Sequence, residues 1–193
     1  KNRDAIQTIL SDALAVSFDN NIGHDYLQDY EERYESYHRK ESRIQFDLEY
    51  FNKITKGGLP NKTLNIALAG TGVGKSLFMC HHASSVLLEG KNVLYITLEM
   101  AEEKIAERID ANLLNVAIQD ITDLPKPMFD KKVNSIAKKT QGTLIIKEYP
   151  TASAHSGHFK SLLNELALKK SFRPDIIFID YLNICASSRY SKT

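Results

Sequence analysis

Charge of one sign, cysteine, long apolar runs and repeats are all scarce in this sequence, and each scarcity excludes something. The 25 Lys+Arg nearly cancel the 24 Asp+Glu, leaving a formal net charge of +1. Such a chain carries no global electrostatic signature of a nucleic-acid binder, although a local basic patch can act within a neutral whole. Two cysteines, Cys80 and Cys185, are too few for a disulfide framework. Both stand among apolar neighbours and read as reduced core residues. No apolar run approaches the roughly 18–20 residues that a membrane-spanning helix needs. The opening Lys1-Asn2-Arg3-Asp4-Ala5-Ile6 lacks an apolar h-region, so no secretory signal is expected. There is no internal repeat and no low-complexity tract.

What is present is an ordinary globular composition, 42% hydrophobic and 25% charged over 193 residues. That apolar content excludes disorder across the whole chain, and the length suits one domain, or one domain with an extension. Residues 4–17 carry Ile6, Ile9, Leu10, Ala13 and Leu14 at helical spacing and are expected to form an amphipathic helix. After a turn around Asn20, Asn21 and Gly23, residues 25–41 form a second, charge-rich helical candidate bearing Tyr26, Tyr30, Tyr34 and Tyr37. Beyond about residue 63 the pattern changes to short β-branched runs alternating with helical segments. Strands are expected over 64–69, 92–97, 143–147 and 175–180, and helices over 76–88, 101–114, 128–139 and 158–170. Continuous apolar strands separated by helices indicate an α/β fold with a mainly parallel sheet covered on both faces.

One turn carries chemistry. Residues 69–76 read Ala69-Gly70-Thr71-Gly72-Val73-Gly74-Lys75-Ser76, a Walker A pattern with Ala69 in the place of the first glycine. Its glycines let successive backbone N–H groups converge on phosphate oxygens, and the following helix aims its N-terminus at the same anion. Lys75 is placed to reach the β- and γ-phosphates, and the Ser76 hydroxyl to ligate Mg²⁺. The nucleotide cradle is therefore expected from Gly70, Thr71, Gly72, Val73, Gly74, Lys75 and Ser76.

Hydrolysis also needs acids. Asp175-Ile176-Ile177-Phe178-Ile179-Asp180 is a Walker B candidate, in which Asp180 would hold a Mg²⁺-bound water. Glu99 follows the apolar run Tyr95-Ile96-Thr97-Leu98. At the C-terminal edge of a parallel sheet a carboxylate could orient the attacking water. On residue chemistry alone, Glu99 could equally be a first-turn helix acid, the role expected of Glu102 and Glu103.

Taken in order, these motifs resemble a known family. Leu48 through Leu59, the Walker A turn, Tyr95-Ile96-Thr97-Leu98-Glu99-Met100 and Asp180-Tyr181-Leu182 resemble the RecA-like ATPase domain of DnaB-type hexameric replicative helicases. Residues 52–58, 92–96, 100–103, 108–112 and 161–165 most resemble the T-even-phage branch of that family. The resemblance implies a RecA-like P-loop NTPase core preceded by a helical linker over residues 1–45. Residues 46–193 would be the N-terminal part of the ATPase domain, because the family's core continues past Walker B. It implies ATP, or another NTP, with Mg²⁺. It puts Glu99 and Lys75 in the catalytic positions, with Ser76 and Asp180 on the metal, Asp180 through water. It further implies a ring of six copies moving on single-stranded DNA and separating the duplex during replication. Primase, a helicase loader and the replisome polymerase would be its partners. No membrane is implied; the location would be cytoplasmic, in the host bacterium if the gene is a phage's. A RecA-like recombinase and a P-loop small-molecule kinase share enough of the motifs to stand as alternatives.

Blander readings hold elsewhere. The tyrosine stripe could stack on bases, but at helical spacing it is expected to be packing with hydroxyls at the rim. His81-His82 lie within the helix after the Walker A turn and lack a second ligand pair at metal spacing. Lys131-Lys132, Lys138-Lys139 and Lys169-Lys170 with Arg173 read as solvated surface.

Overall fold

A computed structural model describes residues 23–39 and 41–187. The helix expected over residues 4–17 lies outside them. The chain divides into two compact units, Lys1–Glu41 and Ser42–Thr193.

In the first unit, the Asp25 side chain accepts N–H bonds from Leu27 and Gln28 at 3.0 and 2.9 Å, setting the turn that precedes α1 (Tyr30–His38). Glu31 and Glu32 in the first turn and His38 in the last suit the helix dipole. The expectation of a packed tyrosine stripe needs correction. Tyr26, Tyr30, Tyr34 and Tyr37 are all exposed, and α1 buries no residue. Tyr30, Tyr34 and Tyr37 share one face of the helix, but nothing among the described residues covers that face. Two rings find local partners instead: the Arg33 guanidinium lies 4.2 Å from the centroid of Tyr26, and Tyr34 meets His38 at 4.4 Å.

The second unit opens with a small antiparallel ladder, β1 (Arg43–Ile44) against β2 (Leu59–Pro60), enclosing α2 (Glu49–Ile54). Asn52 locks this lobe. Its Oδ1 accepts from Phe46 N at 2.8 Å, and its Nδ2 donates to Phe46 O at 2.6 Å. Gly58 sits at φ 108°, and a Cβ there would overlap the Ile44 carbonyl. No other residue satisfies both demands.

The core is a three-stranded parallel sheet in the order β4 (Leu144–Glu148), β3 (Val93–Thr97), β5 (Ile176–Asp180). The register aligns Val93 with Leu144 and Ile176, and Thr97 with Glu148 and Asp180. Parallel neighbours require crossovers, here α4 (Glu102–Leu114) with α5 (Lys126–Ala137), then α6 (Ser156–Lys170). All five β3 residues are buried, as an uninterrupted apolar run predicts for a central strand. Alternation divides them between two cores. Val93 and Tyr95 join Met79, Cys80, Ala83 and Val86 of α3 (Lys75–Leu88) and Ile105 and Ile109 of α4. Leu94 and Ile96 face Leu166 and Phe172 on the other side. Helix α3 stops where Gly90, at φ 83°, donates to Leu87 O at 3.0 Å.

One expected strand is absent. Residues 64–69, just before the Walker A turn, form no ladder; Leu64, Ile66 and Leu68 are 85%, 72% and 95% exposed. The reason is pairing. Both edges of β3 are taken, and neither outer edge of the sheet reaches this segment among the described residues. An apolar β-branched run marks a strand candidate, but only a neighbour's backbone completes it.

Candidate active site

The Walker A turn leads into α3 through two left-handed glycines, Gly72 at φ 77° and Gly74 at φ 104°. A Cβ on either would meet nothing within 4 Å, so the requirement is conformational and the space around the turn is open. Gly70, Thr71, Gly72 and Val73 are exposed; Gly74, Lys75 and Ser76 are half-buried. The N-terminus of α3 has no side-chain cap and no acidic residue in its first turn. Its leading N–H groups and the positive end of the helix dipole are thus left for an external anion.

The sheet supplies the acids. Asp180, the last residue of β5, is 1% exposed. Its Oδ2 accepts from the Tyr95 hydroxyl at 3.1 Å. Its Oδ1 has no hydrogen-bond partner and lies 3.7 Å from Lys75 Nζ, an ion-pair distance too long for a hydrogen bond. Lys75 Nζ also stands 3.8 Å from the centroid of the Tyr181 ring. The cation that begins α3 and the acid that ends β5 therefore face each other across a short gap. The buried oxygen left over in that gap, with the Ser76 hydroxyl at the start of α3, is a donor set of hard oxygens suited to Mg²⁺ and the waters it retains.

Glu99 lies at the end of the neighbouring strand. Thr97, in register with Asp180, bends the chain by donating to Met100 O at 2.8 Å and accepting from Met100 N at 3.1 Å. Leu98 N donates to Asp180 O at 2.8 Å. Glu99 follows directly, its side chain exposed at the same C-terminal sheet edge, where open α/β sheets bind ligands. Of the sequence-derived candidates, the fold brings Lys75 and Asp180 into a pair. It leaves Glu99 solvent-facing, and carries residues 70–73 on a turn at the open end of α3.

Sequence assigned Tyr95, Cys80 and Tyr181 no role in the site. The available signal was a tyrosine in the middle of an aliphatic buried strand, whose hydroxyl must find a partner. The Cys80 thiol donates to that hydroxyl at 3.8 Å. Burial pushes the Cys80 thiol above its ordinary pKa and the Tyr95 phenol well above its own. His82 stacks on Phe46 at 4.3 Å, and burial holds its pKa down at about 4. His81 lies outside that cluster; its Nε2 is 2.5 Å from Asp47 Oδ2 and its Nδ1 2.7 Å from Asn112 Nδ2.

Comparison with known proteins sets this geometry in a family. Residues 44–193 match the DnaB-like helicase C terminal domain. The chain belongs to that family. It is 50% identical over 188 residues to the DnaB-like replicative helicase of Enterobacteria phage T4, spanning 96% of this chain and 40% of that protein. A probable plasmid replicative DNA helicase of Chlamydia psittaci is 27% identical over 170 residues, spanning 80% of this chain and 36% of that one. The fold also matches a DnaB-like replicative helicase whose structure was solved to show its interactions with primase. The TM-score is 0.59 at 19% identity, covering 99% of this chain and 47% of that one. This DnaB-like chain thus spans less than half the length of these relatives. Its parallel sheet and flanking helices are those of the RecA-like fold. No helix among the described residues is long and apolar enough to cross a membrane.

Proposed function

We propose that this chain is the nucleotide-binding part of an ATP-driven replicative DNA helicase that works as a homo-hexameric ring on single-stranded DNA. The linker expected over residues 1–45 ends at Glu41 on this reading, because β1 (Arg43–Ile44) pairs with β2 in the second unit, which serves as the N-terminal part of the ATPase domain. Primase, a loader and the replisome polymerase are its partners, and the cytoplasm is its location, that of the host bacterium if the gene is a phage's. The observation that carries the reading is the pairing of Lys75, at the uncapped start of α3, with the buried Asp180 carboxylate 3.7 Å away.

In the mechanism, N–H groups of Gly70, Thr71, Gly72, Val73 and Gly74 take the phosphate oxygens of ATP or another NTP. Lys75 turns from Asp180 toward the β- and γ-phosphates and stabilises charge as the phosphoryl group transfers. The Ser76 hydroxyl would ligate Mg²⁺, and Asp180 Oδ1 would hold a water of its shell. When bound, Mg²⁺ neutralises charge on the phosphate oxygens. Glu99, free at the strand end, orients the attacking water and accepts its proton. Two carboxylates with different surroundings suit this division of labour: one buried and paired for structure and metal, one exposed for proton traffic.

The test is ATP binding and hydrolysis by the chain, with and without single-stranded DNA, with electron microscopy in ATP. DNA-stimulated hydrolysis and closed rings are expected from the full protein carrying these residues. Open helical filaments would favour a recombinase. DNA-independent phosphorylation of a small acceptor would favour a kinase. Failure to bind ATP at all would end the proposal.

A further inference from the structure

Resting on that reading of the nucleotide site, we infer that Tyr95 is a positioning residue that fixes the orientation of the Asp180 carboxylate, so that Oδ1 is the oxygen turned toward Lys75 and the one that would serve Mg²⁺. An aspartate at the end of a strand has a broad, two-fold χ2 preference. Rotation about that bond exchanges its two oxygens and changes the direction in which lone pairs are offered. Asp180 is also buried, and a buried carboxylate is costly unless its oxygens are partnered. Tyr95 meets both needs with one bond, from its hydroxyl to Oδ2 at 3.1 Å. A carboxylate only accepts, so the single phenolic proton must point at Oδ2. The hydroxyl lone pairs remain for the Cys80 thiol at 3.8 Å, which completes a chain running from α3 through β3 to β5.

The tyrosine itself is immobilised. It is fully buried in the central strand, its ring stacks on Phe178 at 5.7 Å with an interplanar angle of 19°, and β3 is paired on both sides. With Oδ2 occupied, Oδ1 has no hydrogen-bond partner and is the oxygen nearest Lys75. Packing alone does not require the hydroxyl here: a phenylalanine would fill nearly the same volume and leave Oδ2 dry.

The experiment is a calorimetric titration of ATP, in Mg²⁺ and in excess chelator, on the full protein and its Tyr95→Phe variant. The quantity read is the gain in ATP affinity that Mg²⁺ provides. Tyr95→Phe should cut that gain on the order of tenfold, as expected for losing a hydrogen bond to a charged group. Metal-free ATP affinity should stay within about twofold, the scatter expected where no contact is changed. Asp180→Ala should lose the gain as well, and Tyr95→Phe added to Asp180→Ala should have no further effect. Phe178→Leu, which loosens the ring's packing but keeps the hydroxyl, should lower the melting temperature and spare the Mg²⁺ gain. An unchanged gain in Tyr95→Phe beside an impaired Asp180→Ala would overturn the inference. So would an equal loss of gain in Phe178→Leu. If Lys75→Ala and Asp180→Ala both bind Mg²⁺–ATP like the parent, the nucleotide-site reading falls, and the role of Tyr95 with it.

Discussion

Replacing His82 with leucine should flatten the acid side of the stability profile. The imidazole is 2% exposed and its two ring nitrogens have no hydrogen-bond partner among the described residues. It lies against Phe46 at 4.3 Å and Phe78 at 6.3 Å and meets Phe178 edge-on at 5.7 Å. Burial in this aromatic cluster lowers its pKa from 6.5 to about 4; Asp47 opposes the shift and His81 adds to it. Above pH 6.5 the ring is neutral in both states. Between 6.5 and about 4 the unfolded chain binds a proton that the folded chain refuses, so acid favours unfolding. Below about 4 the folded state takes the proton too, and the loss levels off. The whole window is worth on the order of 3 kcal/mol, of which about 2 kcal/mol falls between pH 7 and pH 5. Urea unfolding of the parent and His82→Leu at those two pH values isolates this share, because groups not coupled to His82 titrate equally in both proteins. Stability lost between pH 7 and pH 5 should be smaller in His82→Leu by about 2 kcal/mol. An identical loss would show that the buried ring is already protonated or reaches water, and would refute the argument.

Three further expectations concern single side chains. Lys75→Ala should weaken ATP binding by more than about tenfold in equilibrium titration, since it removes the cation nearest the phosphates. Glu99→Gln should bind ATP normally but lower single-turnover hydrolysis on the order of 10²–10⁴-fold; near-parental turnover would remove Glu99 from the mechanism. Gly58→Ala should lower unfolding free energy by at least about 1–3 kcal/mol, because it forces a Cβ into a left-handed backbone against the Ile44 carbonyl. A neutral result by denaturant titration would mean the β1–β2 lobe shifts freely.

What could be read from sequence was local, and what could not was paired across distance. The Walker A turn is contiguous, its glycines are demanded by backbone geometry, and its position before a helix followed from periodicity. Strands β3, β4 and β5 announced themselves as apolar runs with β-branched residues, within a residue or so of their ends. Residues 64–69 have the same signature and form no strand, because a ladder depends on what lies alongside and no run of letters encodes that. The tyrosine stripe misled in the other direction: its spacing was helical and its rings share a face, yet nothing among the described residues packs on it. The Tyr95–Asp180 bond joins residues 85 positions apart, and it required the strand order β4-β3-β5 and the register before it could be seen. Asn52 is similar on a smaller scale. It sat inside a motif that suggested a family, but its task of holding both backbone groups of Phe46 became visible only in three dimensions.

The unequal support on the two sides of the proposed nucleotide site would divide the entropy of binding between them. Tyr95, Thr97 and Asp180 belong to strands locked by ladder bonds, and Glu99 follows two residues beyond one of them. Residues 63–70 have no such bonds, and the glycines beyond them stand in open space. Freedom is thus already lost on the acidic side and still to be lost on the side of the phosphate turn. On the proposed reading, an arriving nucleotide would order this turn against the strand ends, and part of the favourable phosphate contact would go into that ordering.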